Sequence, residues 1–342
     1  MNREHVNLGP YRTQSGFEIE NLTVAYETFG TQSRFRDNVV LVCHALSGDS
    51  HCIGWWDQMV GPGRAIDTNK YCVICQNVLG GCQGTTGPSS LNSFHIPYGS
   101  DFPIVTIADM VAVQSKLIDH LGIETLVAVA GGSMGGMQAI EWSRQFPDRV
   151  KKVFATASAA MHSPMQIGFN EVARQAIMRD AAWNGGNYYP GRGPTQGLAV
   201  ARMLGHLTFL SDSSFQRKFG RRLHEKEKFD YNLEVEFEVE SYLKHQGDKF
   251  ADRFDANSLL VLTRAIDYYE CTNLNQANAE FLFVSYSSDW IYPSHQSESL
   301  HLMAKQAGLK SKHIQIDLPF GHDSFLLDGE LQGAALVEFL SK

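Results

Sequence analysis

The chain has 342 residues, of which 43% are hydrophobic and 19% are charged, and its formal net charge at pH 7 is −8. This length is sufficient for a large buried core, whereas the scattered basic residues argue against a nucleic-acid surface. Residues 1–5 lack the apolar segment of a signal peptide, and no apolar run reaches the roughly 18 residues of a membrane helix, so we expect a cytoplasmic protein without nucleic-acid or membrane partners.

The first half of the chain alternates predicted strands and helices. Residues 17–27 alternate apolar and polar side chains, which predicts an antiparallel strand near a sheet edge. Apolar residues at helical spacing predict a helix at 107–121, with Gly122 in the C-terminal capping position. Short continuous apolar runs predict buried strands at 38–43, 71–78, 125–130 and 150–156. This order predicts an α/β fold with a mostly parallel sheet and helices on both faces.

The loops after two of these strands are rich in small residues. In the first loop, His44, Asp49 and His51 admit an interpretation as metal ligands. No further ligand set supports it, so we favour hydrogen bonding within the loop and expect no metal. The glycine-rich loop 79–88 either cradles a ligand or forms a long turn.

Cys72 and Cys75 have the spacing of a Cys-x-x-Cys motif, but they lie within the predicted strand 71–78. Side chains three positions apart on a strand point to opposite faces of the sheet. The two thiols therefore cannot form a redox pair or hold a metal together, and we expect buried free cysteines.

The segment around Ser133 combines a strand, a sharp turn and a helix. Gly131, Ser133 and Gly135 occupy the fixed positions of Gly-x-Ser-x-Gly, after the apolar run 125–130 and before a helical stretch. In this context the pattern predicts a nucleophile elbow, in which a Cβ at either glycine would clash with the neighbouring strand and helix. The backbone N–H of Met134 would then point into the site at a helix N-terminus.

Other interpretations of this turn are weaker. An incidental serine in a glycine-rich turn remains the alternative to the elbow. A phosphate-binding loop would end in Gly-Lys-Ser/Thr, which is missing here. A dinucleotide-binding turn needs an acidic residue about 20 positions later, and Asp148 comes too soon.

The pattern changes after residue 157. From about residue 162 to 278 we predict no central strand, and helical spacing occurs at 168–179, 196–210, 212–222, 242–250 and 258–269. Such insertions usually cover the carboxyl ends of the strands, where these sheets bind ligands. We therefore predict a core of residues 1–161 and 279–342 and a helical lid of residues 162–278.

Two late strands are each followed by a residue suited to catalysis. Asp289 follows the predicted strand 280–286, and His322 follows the last strand, 313–316. The order Ser133, Asp289, His322 is that of the α/β-hydrolase triad, in which the histidine takes the serine proton and the aspartate orients the imidazole. Other carboxylates near these strands remain alternatives for the acid: Asp317, Asp323 and Asp328.

The surroundings of this triad indicate an oxyanion hole and leave the acyl acceptor open. The N–H groups of Met134 and of Leu46, in the loop after 38–43, are the expected oxyanion donors. Hydrolases and acyltransferases share the acyl-serine intermediate, so the triad alone does not separate them. Arg202, in an apolar lid segment, and Asp323, beside His322, suit the carboxylate and ammonium of an amino acid. A salt bridge within the lid is the alternative for Arg202.

Four motifs give a more specific indication. They are HALSGD at 44–49, NVLGGCQGTTGP at 77–88, GGSMGGMQ at 131–138 and GHD at 321–323. They resemble the homoserine O-acetyltransferase family over nearly the whole chain. The resemblance implies an α/β-hydrolase fold with a helical lid, a homodimer joined through the lids, and no cofactor. It also implies a ping-pong reaction in which acetyl-CoA, as co-substrate, acylates the serine and homoserine accepts the acyl group, which begins a branch of methionine synthesis.

The resemblance also assigns roles to residues. The family's triad and its ligands for the substrate carboxylate and amino group match Ser133, Asp289, His322, Arg202 and Asp323. Relatives often carry tyrosine where this chain has Phe209, and loss of that hydroxyl would alter acceptor choice if it contacts the substrate. Homoserine succinyltransferases and serine acyltransferases belong to the same family, although Thr85 and Thr86 resemble the acetyl-using members. A serine esterase that uses water is the alternative from another class, and a non-catalytic protein is disfavoured because no triad member is lost.

Overall fold

The computed structural model describes residues 3–341, so Met1 and Asn2, which belong to the segment considered for a signal peptide, lie outside the described residues. The strands are β1 Glu4–Asn7, β2 Tyr11–Arg12, β3 Glu18–Ile19, β4 Thr23–Phe29, β5 Val39–Cys43, β6 Val60–Gly61, β7 Ile66–Asp67, β8 Cys72–Gln76, β9 Ala128–Gly132, β10 Lys152–Thr156, β11 Glu280–Tyr286 and β12 Ser311–Ile316. The α-helices are α1 Cys52–Trp55, α2 Ile107–His120, α3 Met134–Gln145, α4 Pro164–Met178, α5 Thr195–Phe209, α6 Asp212–Lys218, α7 Glu238–Ala251, α8 Ala256–Asp267, α9 Ser294–Gln306, α10 Ser324–Leu327 and α11 Leu331–Ser341. Short 3-10 helices lie at Gly99–Asp101, Pro147–Arg149, Ala181–Gly186 and Gly321–Asp323.

A central sheet organises the molecule. Within residues 3–341 it has eight strands in the order β1-β4-β8-β5-β9-β10-β11-β12. Neighbouring strands from β8 to β12 along this order run parallel, whereas β4 pairs antiparallel with both β1 and β8. The prediction of a mostly parallel sheet is therefore confirmed.

The antiparallel edge differs from the sequence prediction. The segment 17–27 is not one strand: β3 pairs with β2 in a separate ribbon, and only β4 joins the main sheet. The edge strand β1 was not predicted, because in it only Val6 is partly buried and the other residues are exposed. Backbone pairing with β4, and not an apolar pattern, holds β1 in the sheet.

Helices cover both faces of the sheet, as predicted. One hydrophobic cluster joins the sheet to α2 and α3 and includes Trp142, and the other joins it to α1 and α11 and includes Leu336. Cys72 belongs to the first cluster and Cys75 to the second, and both thiols are free and buried. Their opposite orientation on β8 confirms that they do not act as a pair.

Local signals set the ends of the helix that precedes the elbow. Thr106 and Asp109 form a capping box at the start of α2, which satisfies two otherwise unpaired backbone N–H groups. Gly122 adopts a φ of 66° directly after the helix, the left-handed conformation typical of a terminating glycine. The predicted helix at 107–121 is thereby confirmed to within one residue.

Helices α4 to α8 follow β10 and precede β11, and we refer to them as the lid. The five predicted helical segments are each found, although α6 ends at Lys218 and α7 begins at Glu238, earlier in both cases than predicted. The division at residues 162 and 278 stays a prediction. In the described part of the chain, no helix combines the length and apolar character that crossing a membrane requires.

Candidate active site

Ser133 lies on a strained turn between β9 and α3. Its φ of 56° and ψ of −124° lie in a region that costs a residue with a side chain about 1–3 kcal/mol. The turn is held from β10 and the loop that follows it: the Ser133 N–H donates to the Thr156 carbonyl at 3.0 Å, and Ser158 Oγ donates to the Ser133 carbonyl at 2.9 Å. This geometry is that of a nucleophile elbow.

The glycines around Ser133 are required by close backbone packing. A Cβ at Gly131 would lie 2.3 Å from the carbonyl carbon of Gly135, and a Cβ at Gly135 would lie 2.1 Å from the Cys43 oxygen of β5. Such contacts are far inside van der Waals distance, so any side chain there would force α3 away from the sheet. The same packing places Ser133 at the carboxyl edge of the central strands.

His322 and Asp289 form a buried hydrogen-bonded pair. His322 Nδ1 lies 2.8 Å from Asp289 Oδ2, while Asp289 Oδ1 accepts the backbone N–H groups of Ile291 at 3.1 Å and Tyr292 at 2.8 Å. With both carboxylate oxygens engaged, Nδ1–H donates to Asp289 and His322 Nε2 is left as a proton acceptor.

The other candidate acids have different partners. Asp317 accepts the Ser287 hydroxyl at 2.5 Å, and Asp328 accepts three backbone N–H groups around the start of α11. Asp323 lies on the 3-10 turn directly after His322 and is one of the residues that line the cavity described below. Asp289 is therefore the carboxylate that the fold brings to the histidine.

A cavity of about 210 Å³ joins the core to the lid. Core loops contribute Ser133, His322 and Leu46 to its wall. The lid helix α5 contributes Arg202 and Phe209. The cavity therefore brings together a serine hydroxyl, an imidazole and a charged lid residue from segments far apart in the sequence.

Of the two expected oxyanion donors, Met134 follows Ser133 in the chain, and Leu46 lines the same cavity as Ser133. Met134 is the first residue of α3, so its backbone N–H has no acceptor within the helix. Leu46 lies in a turn closed by the Gly48 N–H donating to the Ala45 carbonyl at 2.9 Å. This arrangement can hold a developing negative charge on a carbonyl oxygen near Ser133.

The polar side chains of this loop hydrogen-bond within it and to neighbouring elements. His44 Nδ1 lies 2.8 Å from the Ala45 carbonyl, and His44 Nε2 accepts the Val78 N–H at 3.1 Å. Burial lowers the pKa of His44, which keeps the ring neutral. Asp49 accepts the His51 N–H at 2.9 Å, and His51 Nδ1 contacts the buried Glu27 at 2.8 Å.

The charged groups in the cavity are a cation from the lid and a carboxylate from the core. The Arg202 guanidinium lies over the rings of Phe250 at 4.8 Å and Phe209 at 5.8 Å. Burial, with a contribution from Arg253, lowers the pKa of Arg202 to about 10, so it remains cationic at neutral pH. Within residues 3–341 no carboxylate lies within 4.0 Å of this guanidinium, so the alternative of a lid salt bridge is not realised.

Asp323 provides the opposite charge. Burial raises the pKa of its carboxyl, although His322 and Arg202 oppose that shift. A bound ammonium group would favour the ionised form in the same way that any nearby cation does. The cavity wall thus contains a positive and a negative residue in addition to Ser133.

Sequence reasoning missed His162 and Tyr292. Both line the cavity, and His162 Nε2 lies 2.6 Å from the Tyr292 hydroxyl oxygen. The tyrosine ring also stacks on His322, with ring centres 4.9 Å apart. The available signal was position alone, because Tyr292 follows Asp289 by three residues and His162 stands where the lid begins.

Comparisons with known proteins agree with this geometry. A family model described as the alpha/beta hydrolase fold matches residues 38–328. The homoserine O-acetyltransferase of Methanohalobium evestigatum is 50% identical, over 96% of this chain and 71% of that protein. The crystal structure of homoserine O-acetyltransferase from Bacillus anthracis has a TM-score of 0.93 at 27% identity, covering 100% of this chain and 98% of that one. The crystal structure of esterase E22 has a TM-score of 0.91 at 30% identity and covers 99% of each chain.

Proposed function

Because the chain belongs to the homoserine O-acetyltransferase family, within the α/β-hydrolase fold, we propose that it transfers the acetyl group of acetyl-CoA to the hydroxyl of L-homoserine. One observation carries the proposal beyond family membership. A single cavity contains Ser133 and His322 together with Arg202 and Asp323. These last two groups match the carboxylate and the ammonium of an amino-acid acceptor.

In the first half-reaction, Ser133 Oγ attacks the thioester carbon of acetyl-CoA. His322 Nε2 takes the serine proton and then delivers it to the departing sulfur of CoA. The backbone N–H groups of Leu46 and Met134 stabilise the oxyanion, and Asp289 stabilises the imidazolium. The products of this half are free CoA and an acetyl ester on Ser133.

In the second half-reaction, homoserine occupies the space that CoA leaves. Arg202 binds its carboxylate and Asp323 its ammonium group, which directs the side-chain hydroxyl towards the acetyl ester. His322 takes the hydroxyl proton as the oxygen attacks the ester carbon, and then returns a proton to Ser133 Oγ. O-acetyl-L-homoserine then leaves and enters methionine synthesis. Acetyl-CoA serves as co-substrate, and we propose that the reaction needs no cofactor.

Hydrolysis is the second candidate function. The similar structure of esterase E22 carries the name of an esterase. An esterase needs the same acyl-serine chemistry but uses water as the acceptor. It has no use for a cation and a carboxylate placed together in the cavity, which is why we place acyl transfer first.

We also propose that the protein forms a homodimer through the lid. Met165 and Val172 on α4 and Val200 on α5 are between 51% and 58% exposed, and this apolar surface on two lid helices is what a second copy of the chain would cover. Light scattering should give a mass twice the 38.1 kDa of one chain. A mass of one chain at micromolar concentration would reject the dimer.

The function is tested by measuring CoA release. Acetyl-CoA or succinyl-CoA is supplied as donor with homoserine, serine or no acceptor, for the wild type and for Ser133→Ala. Release that requires homoserine, prefers acetyl-CoA and is lost in Ser133→Ala supports the proposal. Equal release without an acceptor identifies a hydrolase, and a preference for serine or for succinyl-CoA assigns another branch of the family.

A further inference from the structure

A chain of buried hydrogen bonds runs from the lid to the reaction centre. Arg174 Nη1 on α4 lies 2.7 Å from Asp267 Oδ2, at the end of α8. Asp267 Oδ1 lies 3.0 Å from His162 Nδ1, and His162 Nε2 lies 2.6 Å from the Tyr292 hydroxyl. The side chains of His162, Arg174 and Asp267 are only 5%, 4% and 3% exposed.

The charge state of Asp267 fixes which atom donates in each hydrogen bond of this row of side chains. Burial alone would raise the pKa of Asp267, but hydrogen bonds from His162, Asn170 and Arg174 outweigh it and hold the pKa below its usual value. Asp267 is therefore a carboxylate that accepts His162 Nδ1–H. His162 Nε2 then accepts the hydrogen of Tyr292, whose own pKa is raised by burial so that it stays a phenol.

Tyr292 contacts each part of the catalytic arrangement. Its backbone N–H donates to Asp289, and its ring stacks on the imidazole of His322 at an interplanar angle of 23°. Its hydroxyl faces the same cavity as Ser133, and interaction with the serine hydroxyl counteracts part of the effect of burial on the tyrosine pKa. A tyrosine ring anchored at its hydroxyl end cannot tilt freely, and neither can an imidazole stacked on it.

We propose that Tyr292 is a positioning residue, through which the His162–Asp267–Arg174 chain of the lid fixes the orientation of His322. The lid thus contributes to catalysis as well as to acceptor binding. Its first and last helices meet at Asp267, and the hydroxyl of Tyr292 transmits their placement to the histidine. This inference rests on the part of the proposed function that makes Ser133 the nucleophile, and it does not depend on which donor or acceptor is used.

The test uses variants that cut or preserve one link. Tyr292→Phe keeps the ring and removes the hydroxyl, and His162→Leu removes its acceptor. His162→Gln places an amide oxygen near the position of Nε2. Circular dichroism and thermal unfolding establish that each variant is folded at the assay temperature. Tyr188→Phe is the matched control, because it removes a tyrosine hydroxyl that lies between α4 and α5, bonded to Asp255 at 2.6 Å and outside the cavity.

We expect kcat for acetyl transfer to fall about tenfold in Tyr292→Phe and His162→Leu, since misplacement of a catalytic group is costly. The KM for homoserine should change by less than about twofold, because its ligands are untouched. His162→Gln should recover most of the rate, and the variant that combines Tyr292→Phe with His162→Leu should be no slower than either alone. Tyr188→Phe should keep the wild-type kcat.

The same variants are assayed with p-nitrophenyl acetate, which uses Ser133 but neither CoA nor homoserine. If homoserine or acetyl-CoA proves not to be a substrate while release of p-nitrophenolate is slowed about tenfold, the proposed function fails and this inference stands. A kcat within about twofold of wild type for Tyr292→Phe and His162→Leu, or losses that multiply in the combined variant, would overturn the inference. Absence of Ser133-dependent release with every substrate would overturn both.

Discussion

The central sheet and the lid hold their active-site groups by different means. In the sheet region, the backbone holds these groups in place: Ser133 lies on a turn with a strained φ, and Asp289 accepts two backbone N–H groups. In the lid, contacts between side chains hold the group in place: Arg202 extends from α5 over the ring of Phe250. Backbone contacts thus hold Ser133 and Asp289 in place, whereas the place of Arg202 depends on contacts between side chains, which single substitutions can alter.

The largest loss of activity is expected from a substitution at Asp289, in the sheet region. In Asp289→Asn the amide nitrogen can face His322 and favour the wrong tautomer, so we expect kcat to fall by about 10³–10⁴. Steady-state acetyl transfer measures it. Asp328→Asn is the control, because that carboxylate also accepts backbone N–H groups but lies at α11, and it should lower stability without lowering kcat. A variant of Asp289 that keeps a tenth of the activity would contradict the assigned role.

The next largest effect is expected from a substitution at Arg202, in the lid. Arg202→Met keeps an apolar stem over Phe250 and removes the cation, so kcat/KM for homoserine should fall about 100-fold, as expected for a lost charge-assisted bond. Acylation by p-nitrophenyl acetate should not change. Arg192→Met removes an exposed lid arginine that pairs with Asp252, and serves as the control. Equal losses in both half-reactions would mean that Arg202 supports the fold and not the acceptor.

Asp323 lies where the two regions meet. The raised pKa of its carboxyl implies that its effect on Tm depends on pH. Because burial raises its pKa, the ionised carboxylate destabilises the folded state at neutral pH, and the penalty disappears as pH falls through the raised pKa towards the ordinary value. Asp323→Asn should therefore raise Tm by about 1–3 °C at pH 7, with no gain near pH 4, while KM for homoserine rises about tenfold.

Thermal unfolding from pH 4 to 8 measures this effect. Asp317→Asn removes an exposed carboxylate on the same side of the fold and is the matched control. A gain in Tm that is independent of pH would show that the carboxylate charge is not the cause.

The smallest effect is expected from a substitution at Phe209, also in the lid. The centre of the Phe209 ring lies 5.8 Å from Arg202 Cζ and 5.8 Å from the centre of the His322 ring. Phe209→Tyr would add a hydroxyl that donates to the acceptor, so we expect kcat/KM for homoserine to rise by about two- to tenfold, with serine affected less. Competition between the two acceptors gives the ratio directly. Phe169→Tyr, elsewhere in the cavity wall, should not change the ratio.

Local patterns sufficed for the elbow, the strands that precede Asp289 and His322, and the helices of the lid. Each depends on residues close in the chain, such as the three positions of Gly-x-Ser-x-Gly or the spacing of apolar residues on α5. The edge strand β1 was missed, because it has one partly buried residue and owes its place to pairing with β4. Tyr292 and His162 were missed for the same kind of reason.

Residues close together in the chain sufficed to predict the order Ser133, Asp289, His322, since steric demands at the elbow and burial of the strands act within short segments. Tertiary structure alone decided which carboxylate meets His322, that no carboxylate among the described residues pairs with Arg202, and that His162 reaches Tyr292 across 130 positions. The contact of Asp289 with His322 forms between two core loops after β11 and β12, whereas the surroundings of Arg202 and the contact of His162 with Tyr292 form where the lid packs on the core. Packing depends on the whole surface of both elements, and no short segment of the chain records it.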